Sequence, residues 1–272
     1  VKEWLDETGA PGTIRVYGTP AEEGGAGKVY MVRAGLMDDV DVMLHWHAGS
    51  QNSASASSSL ANKSGKFRFY GQSAHAASAP WRGRSALDGV EAMHDMVNMM
   101  REHVTPASRI HYVITSGGSA PNVIPDFAES YIYVRHPDPN EVRRMFDWVT
   151  RIAEGAAMGT ETRMELEVIH GIYNVLPNEA LGRAMHANLT AVGGVEYTAE
   201  ERRFAEMIQN TFPEGVPPIE RANEIEPFEV IEVGQGGSTD VGDVSWTVPT
   251  AGLRTATWVP GTSAHSWQAV TA

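Results

Sequence analysis

Apolar positions recur with a helical period across residues 87–104, where Leu87, Val90, Met93, Val97, Met100 and Val104 stand three or four apart. The same period returns in Val142, Met145, Val149, Ile152 and Ala156, behind a D-P-N-E start that suits a helix N-terminus. Between and around these helices the period drops to two. Lys66–Tyr70, the Ile110, Tyr112, Ile114 series, the Ala128, Ser130, Ile132, Val134 series, and 163–169 all read as strands. The order β-α-β-β-α-β predicts a ferredoxin-like domain over residues 63–173.

The flanking segments follow another pattern. Ile14–Tyr17 reads as a short strand, followed by a Gly/Pro turn, a helix over Lys28–Gly35 and a second strand over Val40–Leu44. Alternating strand and helix predicts an α/β fold with a parallel sheet. Beyond Tyr173 come helices over 180–192 and 199–211, a P-E-G-V-P-P loop, and short strands running up to His265. The simplest organisation is one α/β domain built from residues 1–62 and 174–272, with 63–173 inserted as a lid.

Composition narrows the functional classes. With 42% hydrophobic residues among 272, the chain has material for a packed core. A formal charge of −13 repels phosphates and excludes nucleic acid or an anionic membrane as the expected partner. There is no apolar run of bilayer length and no basic leader, so the expectation is a cytoplasmic protein. Zero cysteines leave His, Asp and Glu as the metal-ligating side chains.

Four places carry candidate chemistry. In T-P-A-E-E-G-G-A-G the adjacent Glu22 and Glu23 divide naturally into a metal ligand and a base for metal-bound water, although an isolated acidic pair is more often a helix start. In L-H-W-H-A-G, His45 and His47 fall on one side of an extended segment. His265 lies in the small-residue loop G-T-S-A-H-S-W. His75, Asn122 and Arg135 together supply an imidazole, an amide and a guanidinium, a set suited to a carboxylate or an oxyanion.

These segments share an order with a known family. P-A-E-E-G-G-A-G-K, the W-H after D-D-V-D, A-H-A-A-x-x-P-x-x-G-R-S-A-L-D, G-G-x-x-P-N-V, I-A-E-G-A-A, S-T-D-V-G-D-V-S-W and G-T-x-x-H-x-W-Q follow one another along the chain. The set resembles the aminoacylase, carboxypeptidase G and succinyl-diaminopimelate desuccinylase superfamily of two-metal hydrolases. It is most similar to amidohydrolases of the p-aminobenzoyl-glutamate hydrolase type, and among these to the B-type chains.

The resemblance implies two divalent ions, Zn or Mn. Glu22 would be the general base, with Glu23, His47 and His265 as ligands and His45 as the alternative to His47. It implies that His75, Asn122 and Arg135 line the lid, with His75 acting on the site of a partner subunit in a homodimer or a heterodimer with a sister subunit. Asp240 and Asp243 would support a ligand or the substrate. The family's upstream H-x-C-G-H or H-x-D motif is absent from this sequence. The expectation is that the chain is part of a longer protein and inactive alone. The rival is a non-catalytic binding or assembly subunit that retains the lid and dimer surface.

Overall fold

The computed structural model describes residues 2–213, 215–234 and 236–271. It begins with two short helices, α1 (Lys2–Thr8) and α2 (Gly27–Arg33), and then strands β1 (Met43–Gly49) and β2 (Ala56–Ser57). The lid follows as β3 (Ala61–Tyr70), α3 (Ala86–Met100), β4 (Arg109–Ser116), β5 (Phe127–His136), α4 (Pro139–Gly159) and β6 (Arg163–Ile172). The chain closes with α5 (Glu179–Val192), α6 (Ala199–Gln209), β7 (Val230–Ile231), α7 (Val241–Ser245), β8 (Thr250–Ala256) and α8 (Trp267–Thr271).

The lid has the β-α-β-β-α-β order expected from its periodicity. Its antiparallel sheet runs β4-β5-β3-β6, the split βαβ arrangement. One sheet face carries Phe67, Phe69, Ala128, Ile132 and Val134, all fully buried against Val90, Met93 and Val97 of α3 and Met145 and Val149 of α4. Each large side chain so buried contributes about 1.5–3 kcal/mol of transfer free energy, which makes this layer the main core of the molecule. Both helices start on side-chain caps: Ser85 accepts from the Asp88 N–H at 3.1 Å, and Asp138 accepts from the Asn140 N–H at 2.8 Å. The opposite sheet face is polar. There Arg68 donates to Glu129 at 2.7 Å and also pairs with Glu167.

Outside the lid, β1 pairs in parallel with β8, and β2 in parallel with β7. Two expectations are corrected. Residues 14–17 form no strand, and Ile14 and Val16 are 59% and 94% exposed. An alternating tetrapeptide has no ladder to stabilise it without a neighbouring strand, and none of the described residues supplies one. The second strand lies three residues later than predicted at its start. It contains the His pair instead of ending before it, because pairing with Thr250–Ala256 begins at Met43 and continues to Gly49. No helix among the described residues is long and apolar enough to cross a membrane.

Candidate active site

Glu22 and Glu23 lie exposed in a turn ahead of α2, and the backbone holding them is unusual. Ala21 and Ala26 both have positive φ, at 62° and 51°, a conformation that costs a residue with a Cβ roughly 1–2 kcal/mol. The turn closes through the Gly25 N–H donating to the Ala21 carbonyl at 2.9 Å. Gly27 is required by close approach, since a Cβ there would sit 2.1 Å from the Pro20 carbonyl oxygen. The helix behind is fixed by Asp240, which accepts from the Lys28 backbone N–H at 2.9 Å and from Lys28 Nζ at 2.8 Å. Asp243 accepts from the Tyr173 N–H at 3.0 Å, where the chain leaves the lid.

The two histidines of β1 differ in availability. The ring of His45 lies close over Gly252, its register partner on β8, so that a Cβ there would meet its Nε2 at 2.1 Å. Burial, then the charges of Lys28, His47 and Arg254, push its pKa down to about 4. His47 is exposed, and its Nδ1 bonds the Ala48 carbonyl at 2.5 Å. That bond places the proton on Nδ1 and leaves the Nε2 lone pair facing outward, the tautomer a metal ligand needs. The His47 ring meets Trp258 edge-on at 6.4 Å. Because β1 and β8 are parallel, His47 and the loop carrying His265 leave from the same carboxyl edge, where α/β sheets collect ligands. A cavity of about 240 Å³ opens at this edge between Ser50, Gln51, Pro260 and Thr262. His265 itself is exposed, with a positive φ of 57°.

Among the described residues, no three His, Asp or Glu side chains gather into a group able to hold a metal ion. Glu23, His47 and His265 are each exposed on separate segments. Their donor chemistry suits a divalent cation, but their arrangement in this chain does not form a cage for one.

The lid residues divide into two places. His75 pairs with Val123 in an isolated antiparallel bridge, the Ala76 N–H donates to the Asn122 carbonyl at 3.0 Å, and the Ile124 N–H to the Ala74 carbonyl at 3.0 Å. His75 and Asn122 are therefore neighbours at the Phe127 end of β5. His75 Nδ1 accepts from the N–H groups of Ala77 and Ser78 at 3.2 and 3.3 Å, so its proton sits on Nε2 as an outward donor.

Arg135 stands at the other end of β5. Eight residue steps of about 3.4 Å separate Phe127 from Arg135, a distance of about 27 Å. The grouping of an imidazole, an amide and a guanidinium at one point is thus corrected within a single chain: strand length keeps Arg135 away from the other two.

Arg135 instead reaches Ser238 of the segment ahead of α7 and the Tyr133 ring. Its Nη1 donates to Ser238 Oγ at 3.2 Å, its Nε is buried without a partner, and its guanidinium lies 5.4 Å from the Tyr133 ring centre. Burial, then the Tyr131 hydroxyl 3.0 Å away, push Tyr133 up to about 12, and Glu23 acts on it in the same direction. His170 meets Tyr133 edge-on at 5.4 Å, shares a hydrogen bond with Ser64 Oγ through Nδ1 at 3.0 Å, and faces the Gly24 backbone. Burial lowers the His170 pKa. Tyr133 and His170 were not singled out from the sequence. The available signal was the alternation Y-I-Y-V-R, which puts Tyr131, Tyr133 and Arg135 on one polar face without saying what they meet.

Comparison with known proteins adds to this geometry. Residues 61–161 match the model of the peptidase dimerisation domain. Over 99% of its length the chain is 40% identical to the B-type chain of p-aminobenzoyl-glutamate hydrolase from Escherichia coli (strain K12), covering 61% of that protein. It is 30% identical to the Xaa-Arg dipeptidase of Homo sapiens over 91% of this chain and 50% of that one. Among solved structures, an aminobenzoyl-glutamate utilization protein from Klebsiella pneumoniae matches with a TM-score of 0.57 at 22% identity. That match covers 86% of this chain and 55% of the other, and shares the fold. The chain spans less than two thirds of each of these relatives.

Proposed function

We propose, for a chain that belongs to the p-aminobenzoyl-glutamate hydrolase branch of the dimerisation-domain peptidases, that the full-length protein is a metal-dependent amidohydrolase. Its substrate would be an N-acyl amino acid or a p-aminobenzoyl-glutamate-like amide. The observation that carries this function is that Tyr133 and His170, in edge-on contact, link the Glu22–Glu23 turn to Arg135: Glu23 acts on Tyr133, His170 faces the Gly24 backbone, and the Arg135 guanidinium lies on the Tyr133 ring. A turn with a carboxylate able to act as base and a cation able to hold the substrate's carboxylate thus both adjoin Tyr133.

In this mechanism Glu22 removes a proton from the water that attacks the amide carbon and delivers it to the leaving nitrogen. Arg135 binds the amino-acid carboxylate through its guanidinium, a charge-assisted contact that fixes the scissile bond relative to the base. His75 donates from Nε2 to the developing oxyanion, and Asn122 stands beside it. The distance of about 27 Å along β5 from that pair to Arg135 supports their service to a second subunit's site, in a homodimer or with a sister subunit. Dependence on two divalent ions, Zn or Mn, belongs to the full-length protein. Glu23, His47 and His265 would be this chain's contribution to their ligands, although among the described residues they form no cage.

The test is release of free amino acid by the full-length protein from N-acyl amino acids, including p-aminobenzoyl-glutamate, with and without a chelator. Chelator-sensitive turnover is the expected result. A second function, that of a non-catalytic binding or assembly subunit, is favoured by the separation of Glu23, His47 and His265 on different segments. It predicts binding of the same amides without turnover.

A further inference from the structure

The segment Ser238–Asp240 touches both halves of the candidate site. Ser238 accepts from Arg135 of the lid sheet at 3.2 Å. Two residues later, Asp240 accepts from both the backbone N–H and the Nζ of Lys28, in the first turn of the helix that follows the Glu pair. Asp240 is 1% exposed, and the Lys28 side chain 12%. Two charges so nearly dehydrated are retained when each satisfies the other, and removing one strands its partner.

The segment beyond is equally constrained. A Cβ on Gly242 would lie 2.0 Å from the Tyr173 carbonyl oxygen, and Ser245 Oγ accepts from the Leu176 N–H at 2.8 Å. These contacts fasten the segment to the chain leaving the lid. Meanwhile the Glu turn carries two left-handed alanines and needs an external restraint to keep that conformation.

We infer that Asp240 is a positioning residue, and that Ser238–Asp240 sets the distance between Arg135, which holds the substrate, and the Glu22–Glu23 turn, which acts on it. This deepens the function proposed above and rests on it for the roles of Glu22 and Arg135. The carboxylate of Asp240 touches no reacting atom. Its influence passes through Lys28 to a turn where a displacement of about 1 Å costs on the order of a hundredfold in rate.

The experiment uses the full-length protein and Asp240→Asn, which keeps the shape and an acceptor but removes the charge opposite Lys28. Two readouts are taken: kcat and KM on an N-acyl amino acid, and hydrogen exchange of the peptide spanning residues 20–30. The expected result is a loss of about 10- to 100-fold in kcat. KM should stay within about threefold, and exchange in the 20–30 peptide should rise at least about fivefold while the 127–136 lid peptide keeps its protection. A merely structural role would lower stability without this split. A folded Asp240→Asn protein with kcat within about twofold of wild type, or with unchanged exchange at 20–30, overturns the inference. Should that variant fail to fold, Lys28→Gln, which keeps the backbone N–H and a side-chain donor, carries the same two readouts and the same criteria. If the wild type hydrolyses no N-acyl amino acid, the proposed function falls, and the exchange arm alone still decides whether Asp240 holds the turn.

Discussion

Gly89 and Gly155 both lie inside lid helices, and alanine should act on them in opposite directions. An interior helical Gly→Ala change gains about 0.8–1 kcal/mol from propensity. At Gly155 of α4 nothing lies within 4 Å of an added Cβ, so that gain stands undiminished. At Gly89 of α3 the same methyl would sit 2.5, 3.0 and 3.2 Å from Cδ1, Cε1 and Cγ of Phe69. Phe69 is fully buried on β3 and its ring has no free space to turn into, so helix and sheet must separate. Overpacking of that kind costs about 1–3 kcal/mol, and contact from three ring atoms places it in the upper half of the range. The net effect of Gly89→Ala is then a destabilisation of about 1–2 kcal/mol, against a stabilisation of about 1 kcal/mol for Gly155→Ala. Denaturant unfolding followed by far-ultraviolet circular dichroism, with the two variants in parallel, measures both shifts in midpoint. Equal shifts of the same sign would refute the close α3–β3 packing described here.

Arg135→Met should raise KM for an N-acyl amino acid by about 10- to 150-fold, the equivalent of about 1.5–3 kcal/mol for a lost charge-assisted hydrogen bond. Its effect on the matching amide without a carboxylate should be small, and steady-state kinetics on the two substrates separates these outcomes. Stability should also fall in mild acid. His94 is buried, bonds Ser130 Oγ through Nε2 at 2.7 Å and stacks on Tyr112 at 3.8 Å, and burial lowers its pKa. Below the unfolded value of about 6.5 the unfolded chain takes a proton that the folded chain resists, so this stability is present above that pH and lost as pH drops through it. Unfolding midpoints at pH 7.5 and 5.5 should differ less in His94→Asn than in wild type.

The lid was legible in the sequence because each of its helices and strands buries a continuous face, and burial imposes a period. Phe67 and Phe69 alternate with Lys66 and Arg68, and Val90, Met93 and Val97 follow the helical repeat, so the order of elements followed directly. The flanking segments gave weaker signals. Residues 14–17 alternate like a strand, yet a strand exists through its partner, which a local pattern does not specify. The five-residue α7 is too short to show a period, although it follows directly on Asp240. Glu22, Glu23, His47 and Arg135 could be picked out because their residue types and motifs are distinctive. Tyr133, His170 and the Lys28–Asp240 pair could not, because their meaning lies in contacts made across distant parts of the chain.

Glu22→Gln in the full-length protein isolates the proposed base. The substitution keeps the size of the side chain and removes the base, while Arg135 and the lid remain in place. The account predicts a fall in kcat of about 10²- to 10⁴-fold, with binding of the N-acyl amino acid retained. A kcat within about tenfold of wild type would contradict it, and the base would then have to be sought elsewhere.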